Sequence, residues 1–144
     1  MPQPILRLAL PSPLRRLFDY LPPAGVPYAA LHPGIRLRVP FGRREIVGML
    51  VELVDHSEVP ENKLKPALEL LDTTPPLPPA LFKLCLWTAQ YYQHSLGDTF
   101  SWALPVLLRQ GEPAETRQER FWHAATGARP EDPRLSRAPR QRPA

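Results

Sequence analysis

The first half of the chain alternates between apolar and polar positions in short runs, a pattern that predicts β-strands. Residues 5–10 form an apolar run that closes on Pro11, and residues 18–20 form a second, shorter extended piece. The first run is apolar on both of its faces, which indicates a strand that is partly buried on two sides. Prolines and a glycine in residues 22–25 end the second piece.

The clearest alternation lies in residues 35–40. It predicts a strand that turns three apolar residues inward and two arginines outward, namely Ile35, Leu37 and Val39 against Arg36 and Arg38. Residues 45–54 are β-branched and long enough for a second strand, and Gly48 among them marks a bulge or a bend. The two segments are therefore predicted to pair as a hairpin with its turn at residues 41–44. Short, strongly bent strands of this kind suit a small barrel.

One more strand and a first helix are predicted further along the chain. Residues 63–71 return to a strand-like pattern, and Pro78-Pro79 stands where the first turn of a helix tolerates proline. The residues that then recur at helical spacing are Leu81, Leu84, Cys85, Thr88 and Tyr92. Three aromatic residues of this helix are predicted to pack in the core or along the helix face: Trp87, Tyr91 and Tyr92.

A second helix is predicted over residues 99–110. Asp98 is a suitable N-cap and Gly111 is placed to end the helix, while Pro105 is predicted to kink or split it. The expected fold is an α+β domain: a small, strongly bent, barrel-like antiparallel sheet with two C-terminal helices.

The composition changes after Gly111. Residues 112–144 contain five prolines and seven arginines, and their one compact apolar patch is Phe121-Trp122. A segment of this kind cannot bury enough apolar surface to fold alone. The prediction is a folded domain at residues 1–111, followed by a linker and a disordered tail at residues 112–144.

Charge and cysteine content narrow the classes of function. A net charge of +4 and a pI near 9.6 suit a polyanionic partner. One cysteine and four scattered histidines exclude an intramolecular disulfide and give no support to a metal site. Without an 18-residue apolar run or the pattern of a signal peptide, the expectation is a soluble cytoplasmic protein that does not act at a membrane.

A single carboxylate between two aromatic rings, in Phe18-Asp19-Tyr20, is the strongest candidate for a functional site. An aspartate beside aromatic rings is costly to bury unless hydrogen-bond donors reach it. Those donors are either backbone amides, as in an Asx turn, or a ligand hydroxyl or amine. The residues next to Asp19 in the sequence do not decide between these alternatives.

The order of several motifs resembles a known family. The motifs are Leu-Pro-x-Pro-Leu at 10–14, Phe-Asp-Tyr at 18–20, Gly-x-Arg-x-Arg-Val-Pro-Phe-Gly at 34–42, Gly48 in an apolar strand, Leu-Lys at 64–65, Trp-Thr-Ala-x-Tyr-Tyr at 87–92, Gly-Asp at 97–98 and Ala-Leu-Pro-x-Leu-Leu-Arg-Gln-Gly at 103–111. Together they cover residues 1–111 and are similar to the N-terminal domain of the bacterial primosomal protein N′, the replication-restart helicase PriA. Residues 120–122 and 135–139 also resemble the start of the family's winged-helix module, which is then cut off.

The resemblance implies a pocket for the 3′-terminal nucleotide of a nascent DNA strand, formed by Phe18, Asp19, Tyr20, Gly42 and Lys65. In it, Asp19 accepts a hydrogen bond from a free 3′-hydroxyl and repels a 3′-phosphate. The two aromatic rings flank a base or sugar without reading sequence. Gly42 leaves room for the strand, and Lys65 meets the adjacent phosphodiester.

Four arginines on or beside the predicted hairpin extend this picture: Arg36, Arg38, Arg43 and Arg44. They are either a phosphate track or simply the solvated face of a strand. The partners that the resemblance implies are DNA with a free 3′ end, branched fork DNA and, through the full-length protein, other primosome proteins and single-stranded DNA-binding protein. The implied location is cytoplasmic, at forks in the nucleoid.

The chain also departs from the full-length family, an ATP-dependent 3′-5′ DNA helicase that binds zinc. It has no Gly-x-x-x-x-Gly-Lys-Ser/Thr motif and one cysteine, so no enzymatic activity and no cofactor are expected in it. ATP and zinc belong to family domains that are absent here. The chain is expected to be either an excised piece or a stand-alone remnant.

Two other functions compete with recognition of a 3′ end. A protein-docking module of the primosome would be favoured by exposure of Trp87 and Trp102. A metal-dependent nuclease needs two or more carboxylates that converge on Asp19. For that role the sequence offers only Glu45, Asp55 and Glu58, all distant along the chain.

Overall fold

The computed structural model describes residues 3–116, 118–121, 123 and 126–127. The chain divides into two compact units, Met1–Ala114 and Glu115–Ala144. The described residues of the second unit contain no helix or strand. Much of the segment predicted to be disordered, residues 112–144, lies outside the described residues, and so does much of the winged-helix likeness. Both stay predictions.

Five antiparallel strands form a single sheet in the first unit. The strands are β1 (Ile5–Ala9), β2 (Phe18–Tyr20), β3 (Arg36–Phe41), β4 (Arg44–Val54) and β5 (Glu69–Leu70), in the spatial order β2-β1-β4-β3-β5. β3 and β4 pair as the predicted hairpin, from Arg36 opposite Met49 to Phe41 opposite Arg44. The predicted strand at 63–71 is much shorter than expected, because residues Glu61–Lys63 form a 3₁₀ turn and only two later residues pair with β3.

The two edges of the sheet approach each other, which gives the domain its barrel-like form. The Leu21 amide, just after β2, donates to the Lys65 carbonyl at 2.9 Å, and the Ala67 amide donates to the Leu21 carbonyl at 2.9 Å. The segment that leads into β5 is thereby hydrogen-bonded to the far edge of the sheet. This closure carries Lys65 to the same end of the domain as β2.

The predicted bulge is displaced along β4. Arg7 lies opposite Glu52 while Leu8 lies opposite Leu50, so the residue without a partner is Val51 and not Gly48. Gly48 is required for a different reason, since a Cβ at this position would collide with the Leu10 side chain. A glycine within a strand can indicate either a bulge or a close approach, and here it indicates the close approach.

Apolar side chains cover both faces of the sheet. The inner face of the curved sheet holds one core, whose fully buried members include Leu6, Leu8, Ile35, Leu37 and Leu50. A second core lies between the outer face and the helices and contains Ala9, Met49, Leu77, Cys85, Phe100 and Leu104. The helical layer therefore leaves less of the sheet facing water than strand alternation alone implies.

The second layer changes the environment of Arg36 most. The prediction that Arg36 faces solvent is wrong, because its side chain is 0% exposed. For Arg36, both a place in a phosphate track and a place on a solvated strand face are therefore wrong. Its Nη2 and Nε atoms donate to Asp72 Oδ1 at 2.7 Å and Oδ2 at 2.9 Å, and the Arg36 amide donates to Oδ2 at 2.8 Å. Its remaining donors reach the carbonyls of Leu108 and Glu112. Arg36 holds the C-terminal end of the domain against the sheet.

Three helices follow the sheet: α1 (Pro79–Tyr91), α2 (Leu96–Ala103) and α3 (Val106–Arg109). Pro79 occupies the first turn of α1 as predicted. Pro105 divides the predicted second helix into α2 and α3, as its missing amide requires. The predicted N-cap, Asp98, is wrong, because Ser95 caps α2 with its hydroxyl and Asp98 falls in the first turn.

Three aromatic residues at the C-terminal end of α1 do not enter the core. Trp87, Tyr91 and Tyr92 are 53%, 65% and 68% exposed. They pack on one another instead, with the rings of Trp87 and Tyr91 stacked 4.8 Å apart and Tyr92 edge-on to Tyr91. Of the two predicted forms of packing, the one in the core is wrong and the one along the helix face is confirmed.

We expect Cys85 to report on the opening of α1. The thiol is buried in the second core, and burial raises the pKa of Cys85. Because thiols react as thiolates, a disulfide reagent at pH 8 should modify the native protein at least about tenfold more slowly than the urea-unfolded chain. Absorbance of the released thiolate measures both rates on the single cysteine. Equal rates would contradict the buried position.

Candidate nucleic-acid site

A cavity of about 630 Å³ opens beside β2. Its walls come from β2 and the residues before it, from the β3–β4 turn, and from the segments on either side of the 3₁₀ turn Glu61–Lys63. The lining residues are Arg7, Arg16, Leu17, Phe18, Asp19, Tyr20, Pro40, Phe41, Gly42, Glu52, Glu58, Val59, Lys63 and Lys65. All five residues that the sequence predicted for a terminal-nucleotide pocket are among them. They are brought together from positions up to 47 residues apart in the chain.

Asp19 belongs to a row of charges that crosses three strands. Arg7 on β1 lies directly opposite both Asp19 on β2 and Glu52 on β4. Its Nε donates to Asp19 Oδ1 at 3.0 Å, and its Nη1 donates to Glu52 Oε1 at 3.0 Å. These hydrogen bonds, the one to Asp19 above all, raise the pKa of Arg7 above its ordinary value. One guanidinium thus serves two carboxylates, and the row carries a net charge of −1.

Ser57 completes the surroundings of Asp19. Its hydroxyl donates to Asp19 Oδ2 at 2.5 Å and accepts from the Val59 amide at 3.0 Å. Asp19 therefore finds its donors in the side chains of Arg7 and Ser57, and the alternative of a backbone Asx turn is wrong. Each carboxylate oxygen accepts one bond from the protein and can accept a second. A ligand hydroxyl in the cavity would find an oriented acceptor.

The two aromatic residues beside Asp19 differ in exposure. The Tyr20 ring is buried, with 6% of the residue exposed, and its hydroxyl donates to the Pro40 carbonyl at 2.9 Å. Phe18 is half-buried, edge-on to Phe41 at 5.5 Å, with the Arg16 guanidinium 4.8 Å from the centre of its ring. Tyr20 is therefore an anchor between β2 and β3, whereas Phe18 keeps part of its ring at the cavity wall.

Gly42 occupies the first position of the two-residue turn between β3 and β4. Its φ of +63° lies in the left-handed region, which glycine adopts without strain. A Cβ at this position would contact nothing within 4 Å. The residue is thus required by the conformation of the turn, and it leaves the rim of the cavity open toward solvent.

The lining of the cavity carries charges of both signs. Its lining includes four cationic side chains, those of Arg7, Arg16, Lys63 and Lys65, and three acidic ones, those of Asp19, Glu52 and Glu58. Lys63 and Lys65 are exposed, and neither takes part in an ion pair among the described residues. Two lysines without carboxylate partners are suited to bind a phosphodiester that enters beside Asp19.

The four arginines of the predicted phosphate track lie in different environments. Arg36 is buried, as described above, and Arg38 pairs with Glu69 at 3.3 Å. Arg43 and Arg44 are exposed at and just after the β3–β4 turn, next to Gly42, but do not line the cavity. Of the four arginines, these last two form no ion pair among the described residues and can meet a strand that leaves the cavity.

Sequence reasoning missed Arg7, Glu52 and Ser57. Arg7 carried a signal, since it is the single charge in the apolar run of residues 5–10. Its partners depend on strand register, which local pattern does not give. Ser57 lies in a polar loop and carried no signal of its own.

Two further findings concern metal binding and membrane spans. Across the described ranges, no cluster of three or more His, Cys, Asp or Glu side chains is arranged to hold a metal ion. The same ranges contain no helix with the length and apolar character needed to cross a membrane.

Comparison with known proteins identifies the domain. Residues 7–105 match the PriA family model described as the 3′DNA-binding domain (3′BD). The replication restart protein PriA of Haemophilus influenzae is 44% identical over 118 residues, which are 82% of this chain and 16% of that protein. The PriA of Buchnera aphidicola subsp. Schizaphis graminum is 27% identical over 107 residues, which are 74% of this chain and 14% of that protein. The chain thus spans about a sixth of the length of the curated relatives it matches. As its motifs predicted, this chain belongs to the family of the PriA 3′DNA-binding domain.

Proposed function

We propose that this domain binds DNA during replication restart by accepting the free 3′-hydroxyl end of a nascent strand, independently of sequence. The observation that carries the proposal is the position of Asp19. It lines a cavity with two exposed lysines and is held by Arg7 and Ser57 with acceptor capacity to spare. The family and the names of its relatives, a 3′DNA-binding domain and replication restart proteins, support DNA as the partner.

The row of charges that contains Asp19 favours a hydroxyl end over a phosphate end. A 3′-hydroxyl donates to Asp19, and a hydrogen bond to a charged group contributes about 1.5–3 kcal/mol. A 3′-phosphate has no such donor to offer when ionised. It also meets a row of charges whose net value stays negative, because Arg7 is shared between Asp19 and Glu52.

The roles of the other lining residues follow from their exposure. Lys65 and Lys63 meet the first phosphodiesters of the strand, which lie outside the hydroxyl contact. Phe18 offers a ring to the terminal sugar or base, and Tyr20 holds β2 in place through Pro40. None of these contacts reads a base edge, so binding is independent of sequence. The chain acts by binding and not by catalysis.

The test is fluorescence anisotropy with single-stranded oligonucleotides that differ only at the 3′ terminus. We expect the 3′-hydroxyl oligonucleotide to bind about tenfold more tightly than the 3′-phosphate form, since 1.4 kcal/mol corresponds to a factor of ten. An oligonucleotide phosphorylated at its 5′ end instead is the matched control, and its affinity should equal that of the unmodified strand. Equal affinity for the two 3′ ends would overturn the proposal.

A second function, protein docking within the primosome, is favoured by the exposure of Trp87 and Trp102. They are 53% and 72% exposed on α1 and α2. Exposed aromatic residues of this size are enriched at protein interfaces. If the two oligonucleotides bind equally or do not bind, protein docking becomes the favoured function. Trp87→Ala should then reduce binding to a primosome protein without changing the fold.

A further inference from the structure

A second cavity, of about 270 Å³, adjoins the first. It lies between the segment before β2 and the end of α1, and its lining includes Arg15, Arg16, Leu86, Gln90 and His94. Arg16 and Leu17 line both cavities. These two residues therefore form a shared border between the two cavities.

The charge of the second cavity differs from that of the first. Its lining contains two arginines and no carboxylate, whereas the first cavity has three acidic side chains. Neither Arg15 nor Arg16 forms an ion pair in the described part of the chain. The second cavity thus suits an anion without a hydroxyl donor, such as an internal phosphodiester.

Arg15 is held in position by a strained residue. Its Nη2 donates to Gln93 Oε1 at 2.7 Å, and Gln93 Nε2 donates to the Gln90 carbonyl at 3.0 Å. Gln93 has a φ of 56°, which makes it the one described non-glycine residue in the left-handed region. A non-glycine residue whose backbone is held in that conformation has a cost in free energy. Here it turns an amide toward Arg15 and orients the guanidinium without neutralising it.

We infer that Arg15 and Arg16 form a phosphodiester subsite for the DNA strand whose 3′ end lies in the first cavity. The inference rests on the proposed function and extends it: Asp19 recognises the terminus, and the second cavity binds internal phosphates on its 5′ side. Contacts to phosphate add affinity but no selectivity for the terminal group. The two cavities therefore contribute separable terms to binding.

The test compares Arg15→Ala with Arg109→Ala, which removes the same charge from an exposed position on α3 outside both cavities. Anisotropy is measured at several salt concentrations with a 3′-hydroxyl 12-mer and, by competition, with a 3′-hydroxyl dinucleotide. We expect Arg15→Ala to weaken the 12-mer about three- to tenfold and to reduce the slope of log K against log salt by about 0.7, the value for one phosphate of a single strand. Arg109→Ala should change neither.

Three further readouts separate the inference from the proposed function. The ratio of affinities for 3′-hydroxyl and 3′-phosphate ends should be unchanged in Arg15→Ala, the dinucleotide should bind as it does to the unmodified chain, and Arg15→Lys should recover most of the salt slope. If Arg15→Ala behaves like Arg109→Ala while the hydroxyl preference persists, the subsite is overturned and the proposed function stands. Absence of a hydroxyl preference in the unmodified chain overturns both.

Discussion

Arg36→Ala should destabilise the domain by about 3–5 kcal/mol, the usual cost of removing one partner of a buried ion pair. Asp72, 3% exposed at its side chain, would keep a buried carboxylate without its cation. The carbonyls of Leu108 and Glu112 would also lose their donors. Since a domain of this size is stable by about 5–15 kcal/mol, the loss would remove a large part of its stability. Urea unfolding followed by circular dichroism measures it.

Arg38→Ala is the matched control for that prediction. Arg38 is two residues further along the same strand, and it pairs with Glu69, whose side chain is 59% exposed. Exposed pairs of this kind contribute about 0–1 kcal/mol. Equal losses for the two variants would contradict a buried structural role for Arg36, and so would a clear effect of Arg36→Ala on DNA affinity alone.

Gly97→Ala should also be strongly destabilising, although alanine is the better helix former by about 1 kcal/mol. Gly97 lies buried in the first turn of α2, where a Cβ would overlap the backbone carbonyl of Leu10. Backbone atoms cannot rotate away as a side chain does, so α2 would have to move off the end of β1. Overpacking costs typically about 1–3 kcal/mol, and we expect the upper end or more.

Gly48→Ala provides the comparison for Gly97→Ala. Its added Cβ would meet mainly the end of the Leu10 side chain, with the Ala9 carbonyl oxygen at 3.3 Å. A side-chain end can give way, so the loss of unfolding free energy should be smaller than for Gly97→Ala. If Gly97→Ala proves as stable as the unmodified domain, the close packing of α2 on Leu10 is wrong.

The hairpin, the start of α1 and the break between α2 and α3 could be predicted because their causes are local. Alternation in residues 35–40 and the two-residue turn at Gly42 depend on neighbours in the sequence. The same holds for Pro79 at the start of α1 and for Pro105 between α2 and α3. The N-cap of α2 could not be predicted in this way, because Ser95 and Asp98 are both suitable cap residues. Ser95 is the cap in the structure, where its hydroxyl also donates to the Ser12 carbonyl.

The orientation of Arg36 could not be predicted from alternation. A period of two separates the faces of a strand but does not tell which face meets solvent. Both faces of β3 are covered, one by the inner core and the other by the helical layer and the segment between β5 and α1 that contains Asp72. Asp72 is 36 residues away, and no local signal connects it to Arg36.

The candidate site, too, could be predicted only in part. The resemblance to the family suggested which five residues meet, and the cavity brings them together. The way Asp19 is held could not be inferred, since Arg7 and Ser57 reach it through the register of β1 and a loop 38 residues away. The burial of Tyr20 likewise follows from the closure of the sheet, which places the Pro40 carbonyl at its hydroxyl.

Recognition of the 3′-hydroxyl by Asp19 is tested most directly by measuring the affinity of two variants for two DNA ends. Asp19→Ala and Glu52→Ala each remove one carboxylate from Arg7, in the same cavity and with the same change of charge. Anisotropy gives the affinity of each variant for 3′-hydroxyl and 3′-phosphate oligonucleotides, and urea unfolding confirms that both variants fold. We expect the preference for the hydroxyl to fall to about one in Asp19→Ala, because the hydrogen bond of about 1.5–3 kcal/mol is lost. Glu52→Ala should retain most of the preference. A preference that survives in Asp19→Ala, or falls equally in both variants, would contradict the account.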